Sequence, residues 1–243
     1  MVMREGLWRA ARPTVFLLAA FLIGLAPAAA QQKPQGEPGK FDFYVLSLSW
    51  SPSYCDSVQE RAAQRRSDAR PDQQCEGGRP YAFVVHGLWP QYERGFPSWC
   101  QVPAPRIPRS LVDSMLDLMP SPRLVFHEWD RHGTCSGLSA QNFFAAVRQA
   151  RGAVKIPEAY ASLEQPVTVT PGEVAENFLK ANPQLSREEI AVACDGKRLT
   201  EVRICMSKQF AFRKCADVVD KACKVDKVLM PAVRAGKQAA NGI

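Results

Sequence analysis

Eight cysteines constrain this chain more than any other feature, because all of them follow what reads as an export leader. They are Cys55, Cys75, Cys100, Cys135, Cys194, Cys205, Cys215 and Cys223. The leader has a positive start (Arg4, Arg9, Arg12), an apolar run from Val15 to Leu25, and the small residues Ala28-Ala29-Ala30 ahead of Gln31. That order is the pattern of a secretory signal with its cleavage site. The apolar run is shorter than the roughly 20 residues that span a bilayer, and no second one follows. Removal of residues 1–30 is therefore expected to release a protein with no membrane attachment, in the periplasm or outside the cell. An exported chain with an even cysteine count points to disulfides rather than thiolate metal ligands. The absence of any C-x-x-C pair weakens a zinc-ribbon or redox reading further. Spacing alone leaves the connectivity open.

Beyond the leader, residues 31–40 are rich in Gln, Pro and Gly and read as a flexible lead-in. Residues 41–225 read as one domain and 226–243 as a C-terminal tail. Phe41 to Trp50 and Tyr81 to Val85 are strand candidates, the second running directly into His86. The polar stretch 56–80 between them reads as an exposed excursion, and 91–108 as loop. Helices are predicted over Ser110–Met119, through His127–Arg131 to Gly133, and over 140–150 behind a Ser139 cap. Thr170-Pro171-Gly172-Glu173 is a capping box with proline at the first helical position, opening a helix that ends near Asn182-Pro183. Ile190–Cys194, Asp195-Gly196 and Leu199–Met206 read as a hairpin. Strands and helices mix without a βαβ rhythm, which favours an α+β domain with helices against an antiparallel sheet. Trp50, Trp99 and Trp129 are assigned to packing, since tryptophan buries so much area. Lys208, Arg213, Lys214, Lys221 and Lys224 read as a solvated face rather than a phosphate track.

Chemistry concentrates on three histidines, the only ones in the chain: His86, His127 and His132. His86 opens His86-Gly87-Leu88-Trp89-Pro90. The other two bracket His127-Glu128-Trp129-Asp130-Arg131-His132. Histidine titrates near neutral pH, so a pair can hold one proton and hand it across a reaction. A zinc reading fails on spacing. Ligands at i and i+4 lie about 40° apart on a helix, whereas His127 and His132, at i and i+5, lie about 140° apart. No metal or other cofactor is expected. A purely structural role would bury a mixed set of acid, base and cation without use, which is costly. RNA supplies its own nucleophile in the 2′-hydroxyl. A base, an acid and positive charge at the transition state then suffice for cleavage. The formal charge of +7, about +5 without the leader, suits a polyanionic partner.

His86 to Pro90 and His127 to Cys135 together resemble the two signature blocks of the ribonuclease T2 family in order and separation. The lead from Phe41 to Cys55 resembles the start of that domain. The resemblance implies an α+β fold with a central antiparallel sheet and disulfide staples. It implies endonucleolytic RNA cleavage through a 2′,3′-cyclic phosphate, then slower hydrolysis to a 3′-phosphate, without DNA cleavage and by a monomer. It implies His132 as general base, His86 as general acid, and Glu128 as the assisting carboxylate. His127 would bind phosphate, and Trp89 would stack on a base. Arg131 stands where the family usually has Lys; its planar fork keeps the charge but spreads it. Gln91 stands where some members carry an acidic residue, which suggests broad base specificity. The implied pairings are Cys55–Cys75, Cys100–Cys135, Cys194–Cys223 and Cys205–Cys215. The other reading of the same blocks is a catalytically silent relative that binds RNA or another polyanion.

Overall fold

The computed structural model describes residues 33–65, 72–76 and 78–234; the leader reading over 1–30 lies outside them. In chain order the elements are β1 (Phe43–Trp50), α1 (Ser51–Arg65), α2 (Gln73–Glu76), β2 (Phe83–Gln91), α3 (Arg109–Ser114) and α4 (Pro122–Arg131). There follow α5 (Ala140–Gly152), β3 (Val167–Val169), α6 (Pro171–Ala181), β4 (Ile190–Cys194), β5 (Leu199–Met206), α7 (Ala216–Val219) and β6 (Val228–Met230). The main sheet is antiparallel with order β2-β1-β5-β4, and β3 and β6 form a second, two-stranded sheet. This is an α+β fold with a central antiparallel sheet, flanking helices and four disulfides.

Alternation along β1 sets the two faces of the sheet. Tyr44, Leu46, Leu48 and Trp50 point into the main core. There they meet Val125 and Trp129 of α4, Phe143, Phe144 and Val147 of α5, and Val174 and Phe178 of α6. Phe43 and Val45 point the other way, into a smaller cluster with Cys205, Cys215 and Val218. Farther along, that second face carries Ser47 and Ser49 and opens into the cleft described below.

Strong local signals produced the expected elements. Thr170 Oγ1 accepts from Glu173 N–H and the Glu173 carboxylate accepts from Thr170 N–H, closing the capping box. Ser139 caps α5 through Asn142 N–H. The stretch 56–80, expected as an exposed excursion, is in part helical, since α1 begins straight after β1 and runs to Arg65. Three expectations need correction. The helix expected over Ser110–Met119 is regular only to Ser114 and continues as turns. The lead-in is pinned rather than loose: Gln35 and Ser98 exchange two backbone hydrogen bonds of 2.9 Å, and Gly39 N–H donates to Cys135 O. The domain also runs past residue 225. β6 pairs with β3, and Trp50 Nε1 donates to Pro231 O at 3.1 Å. Residues 235–243 of the proposed tail lie outside the described residues.

The disulfides are Cys55–Cys75, Cys100–Cys135, Cys194–Cys223 and Cys205–Cys215. The second ties the loop after β2 to the end of α4. The last two hold α7 against β4 and β5.

Candidate active site

His86 owes its position to a fault in strand pairing. Ser47 of β1 pairs with Gly87 and Leu48 with Val85, so His86 is the unpaired extra residue of a β-bulge. A bulge re-aims a side chain that strict alternation would send elsewhere. Here His86, Trp89 and Gln91 all line the same cleft, while Val85 and Leu88 stay in the core. Across the sheet, Arg203 pairs with Ser47 and Glu201 with Ser49, so both charged residues of β5 reach that face.

α4 supplies the other wall. Glu128 and His132 are four residues apart and share one helix face, while His127 and Arg131 share the next. The helix ends at His132, whose N–H donates to Glu128 O.

These elements form a linked set of polar groups. His86 Nδ1 lies 2.5 Å from Glu201 Oε1. Arg203 grips Glu201 Oε2 through Nε and Nη2, at 2.9 and 2.7 Å. The Arg203 guanidinium stands 5.4 Å from the Trp89 ring centroid. Trp89 Nε1 donates to Glu128 Oε2 at 2.8 Å, and Glu128 Oε1 is 3.6 Å from His86 Nε2. The Trp89 ring also separates the two histidines, with centroids 5.2 Å from His86 and 5.4 Å from His132. Trp89 thus positions the polar groups as well as offering area to a ligand.

Burial tunes these groups in different directions. Glu128, 1 % exposed, is pushed up to about 7 by desolvation, against opposing pulls from His86 and the Trp89 hydrogen bond. His132 is held well below the ordinary histidine value by burial, then by Arg131, His86 and His127. Burial also lowers His86, but the Glu201 hydrogen bond and the Glu128 and Glu201 charges outweigh it, and the net shift is upward. Glu201 shows the complementary result: desolvation raises it, and the His86 and Arg203 contacts overcome this to bring it to about 2. His127 is lowered by partial burial and by Arg131 and His86. His132 Nδ1 and Arg131 Nε are buried without a hydrogen-bond partner among the described residues.

The cleft that contains both His86 and His132 measures about 280 Å³ and is also lined by Trp89, Gln91, Phe96 and Arg131. Phe96 is 47 % exposed at its rim. A second cleft of about 550 Å³ shares His86, His127 and Glu201 but not His132. Trp50 and Trp129 are core, as expected. Trp99 is not: it is half-buried, adopts φ 53°, and sets its ring 5.7 Å from that of His127. Of the basic residues assigned to a solvated face, Arg213 pairs with Glu93, Lys214 with Glu188 and Lys221 with Asp217. Among the described residues no group of three or more His, Cys, Asp or Glu is placed to share a metal ion.

Glu201, Arg203 and Phe96 were missed in the sequence. The signal for the first two was present: charged residues at i and i+2 inside the run Leu199–Met206, apolar elsewhere except at Thr200, share one face of a strand. Phe96 carried no local signal in a loop rich in Gly and Pro.

A disulfide-braced α+β domain that opens two histidines and a buried carboxylate onto one cleft falls in the class of proteins equipped for acid–base chemistry. The chain belongs to the ribonuclease T2 family, whose model matches residues 41–215. It is 40 % identical over 129 residues to a ribonuclease of Aeromonas hydrophila, covering 53 % of each chain. It is 32 % identical over 186 residues to a probable ribonuclease of Haemophilus influenzae, covering 72 % of this chain and 64 % of that one. The chain thus spans about half to two thirds of the length of these relatives. Its fold is similar to that of RNase NT, solved with 5′-AMP, with a TM-score of 0.61 at 24 % identity; the match covers 79 % of this chain and 99 % of that one.

Proposed function

We propose that this protein is a metal-independent endoribonuclease, exported and acting as a monomer, that cleaves single-stranded RNA by transphosphorylation. The observation that carries the proposal is the placement of two histidines on one cleft with opposite tuning: burial and neighbouring cations shift His132 down, towards a base, and the Glu201 and Glu128 contacts shift His86 up, towards an acid. Family membership and the names of the relatives support the same reading.

In the first step His132 takes the 2′-hydroxyl proton, and the 2′-oxygen attacks phosphorus. His86 gives its proton to the departing 5′-oxygen as the P–O bond breaks, leaving a 2′,3′-cyclic phosphate. In the slower second step the roles reverse: His86 deprotonates water, and His132 protonates the 2′-oxygen as the ring opens to a 3′-phosphate. Glu128 is neutral below about pH 7, with its Oε2 occupied by Trp89. It can therefore donate a hydrogen bond to a non-bridging oxygen as charge accumulates there. Arg131 and His127 hold the phosphate. The base beside the 2′-hydroxyl lies against Trp89, Phe96 and Gln91. Ring stacking is tolerant of base identity and Gln91 can donate or accept, which gives broad specificity. The leaving nucleoside enters the second cleft, which His86 shares and His132 does not.

The test is to incubate oxidised protein, from Gln31 onward, with RNA in EDTA beside DNA of the same sequence. RNA cleavage with cyclic-phosphate ends is expected, with DNA intact. Cleavage of both polymers would eliminate the 2′-hydroxyl as nucleophile. No cleavage between pH 4 and 8 would leave a silent RNA-binding protein.

A further inference from the structure

We propose that the second cleft binds the next phosphodiester along the RNA, on the 3′ side of the leaving nucleoside. This rests on the endoribonuclease reading and extends it from one phosphate to two.

α4 acts as the ruler. Arg123 lies four residues before His127, one turn or about 6 Å along the axis, and both line the cleft. That displacement is on the scale of one nucleotide of an extended strand. Arg61 of α1 reaches the same cleft from the opposite wall, and both guanidiniums act electrostatically on the Tyr54 hydroxyl there. Among the described residues neither arginine has an ion-pair partner.

The start of α4 is itself suited to an anion. Ser121 is the N-cap but makes no side-chain cap hydrogen bond, Pro122 follows, and the first turn holds no acidic residue. The Arg123 and Leu124 N–H groups have no backbone acceptor among the described residues outside the helix. Free N–H groups and the positive end of the helix dipole favour phosphate. On the α1 wall of the same cleft lies Ser53, only 2 % exposed, whose buried hydroxyl has no partner among the described residues. Three carboxylates line the wall, and two of them are offset by cations of their own: Asp195 is held by Arg198 at 2.9 Å, and Glu201 by Arg203 at 2.7 Å and by His86. Asp72 keeps its charge but accepts from the Tyr54 hydroxyl at 2.6 Å and Gln74 N–H at 3.0 Å, which leaves two arginines against one uncompensated carboxylate.

The experiment compares ApA with ApAp, which adds one phosphate on the leaving nucleoside. The kcat/KM of the parent should be roughly 5–30-fold higher for ApAp, as a charge-assisted contact to that phosphate implies. Its dependence on log salt should be steeper by about 0.7, the slope per phosphate in single strands. In the R61Q/R123Q double variant the ApAp/ApA ratio should fall to about one. Equal rates on the two substrates in the parent, or an unchanged ratio in the variant, overturn the proposal. If ApA is not cleaved at all, the endoribonuclease reading fails separately. The binding of uncleavable 2′-O-methyl analogues then decides: tighter binding of the phosphorylated analogue, lost in the variant, sustains the subsite, and equal binding ends it.

Discussion

Gly87→Ala is the most informative single change this site offers. Replacing glycine by alanine in a strand ordinarily stabilises by about 0.5–1 kcal/mol, because less backbone freedom is lost on folding. At Gly87 a Cβ would overlap Glu128 Oε2 and Trp89 Nε1 and sit 2.8 Å from Glu128 Cδ. Neither neighbour can yield easily, since Glu128 is 1 % exposed and the two are hydrogen-bonded to each other at 2.8 Å. Displacing that bond costs about 1–3 kcal/mol, and overpacking costs another 1–3 kcal/mol. Net destabilisation should be about 1–5 kcal/mol, a fall in Tm of roughly 3–15 °C for a domain of this size. Turnover should fall by at least about 10²-fold if Glu128 has the proposed role, because the carboxyl assigned to the transition state has moved. The assays are calorimetric Tm and kcat/KM on ApA, with Gly152→Ala as control, where a Cβ meets nothing within 4 Å. A Gly87→Ala protein with raised Tm and kcat/KM within twofold of the parent would refute the packing argument.

Glu201→Gln should move the basic limb of the kcat/KM–pH profile to lower pH and leave the acidic limb in place, because Glu201 raises His86 and not His132. A basic limb at the parental pH would show that Glu201 does not tune His86. Glu128 binds its proton more tightly folded than unfolded, so the stability it contributes is present below about pH 4.5 and is lost as pH rises to about 7. Glu128→Gln should therefore be more stable than the parent at pH 8, by up to about 3 kcal/mol, and similar at pH 4; urea unfolding at the two pH values checks this. Removing Cys100–Cys135, which closes a separation of 35 residues, should cost about 4 kcal/mol. It should also lower activity, because the link joins the loop after β2 to the end of α4; a Tm within 2 °C of the parent would contradict this.

The sequence by itself determined the features that depend on neighbours along the chain. The Thr170 box, the Ser139 cap and the hairpin from Ile190 to Met206 follow from contacts within a few residues. The two histidine blocks were legible because residue types carry chemistry whatever their surroundings. Only the tertiary structure decided how those blocks meet. The bulge that turns His86 into the cleft is a property of pairing with Ser47 and Leu48, far away in sequence. Glu201 reaches His86 from 115 residues away, and Gly87 matters because Glu128 packs on it from another element. The pinned lead-in and β6 were missed for the same reason: a polar lead-in and an apolar run of only three residues (Val228–Met230) have weak preferences of their own and take the structure their distant partners impose. Opposite tuning of chemically identical histidines is likewise set by burial and by the neighbouring charges, which exist only once the chain has folded.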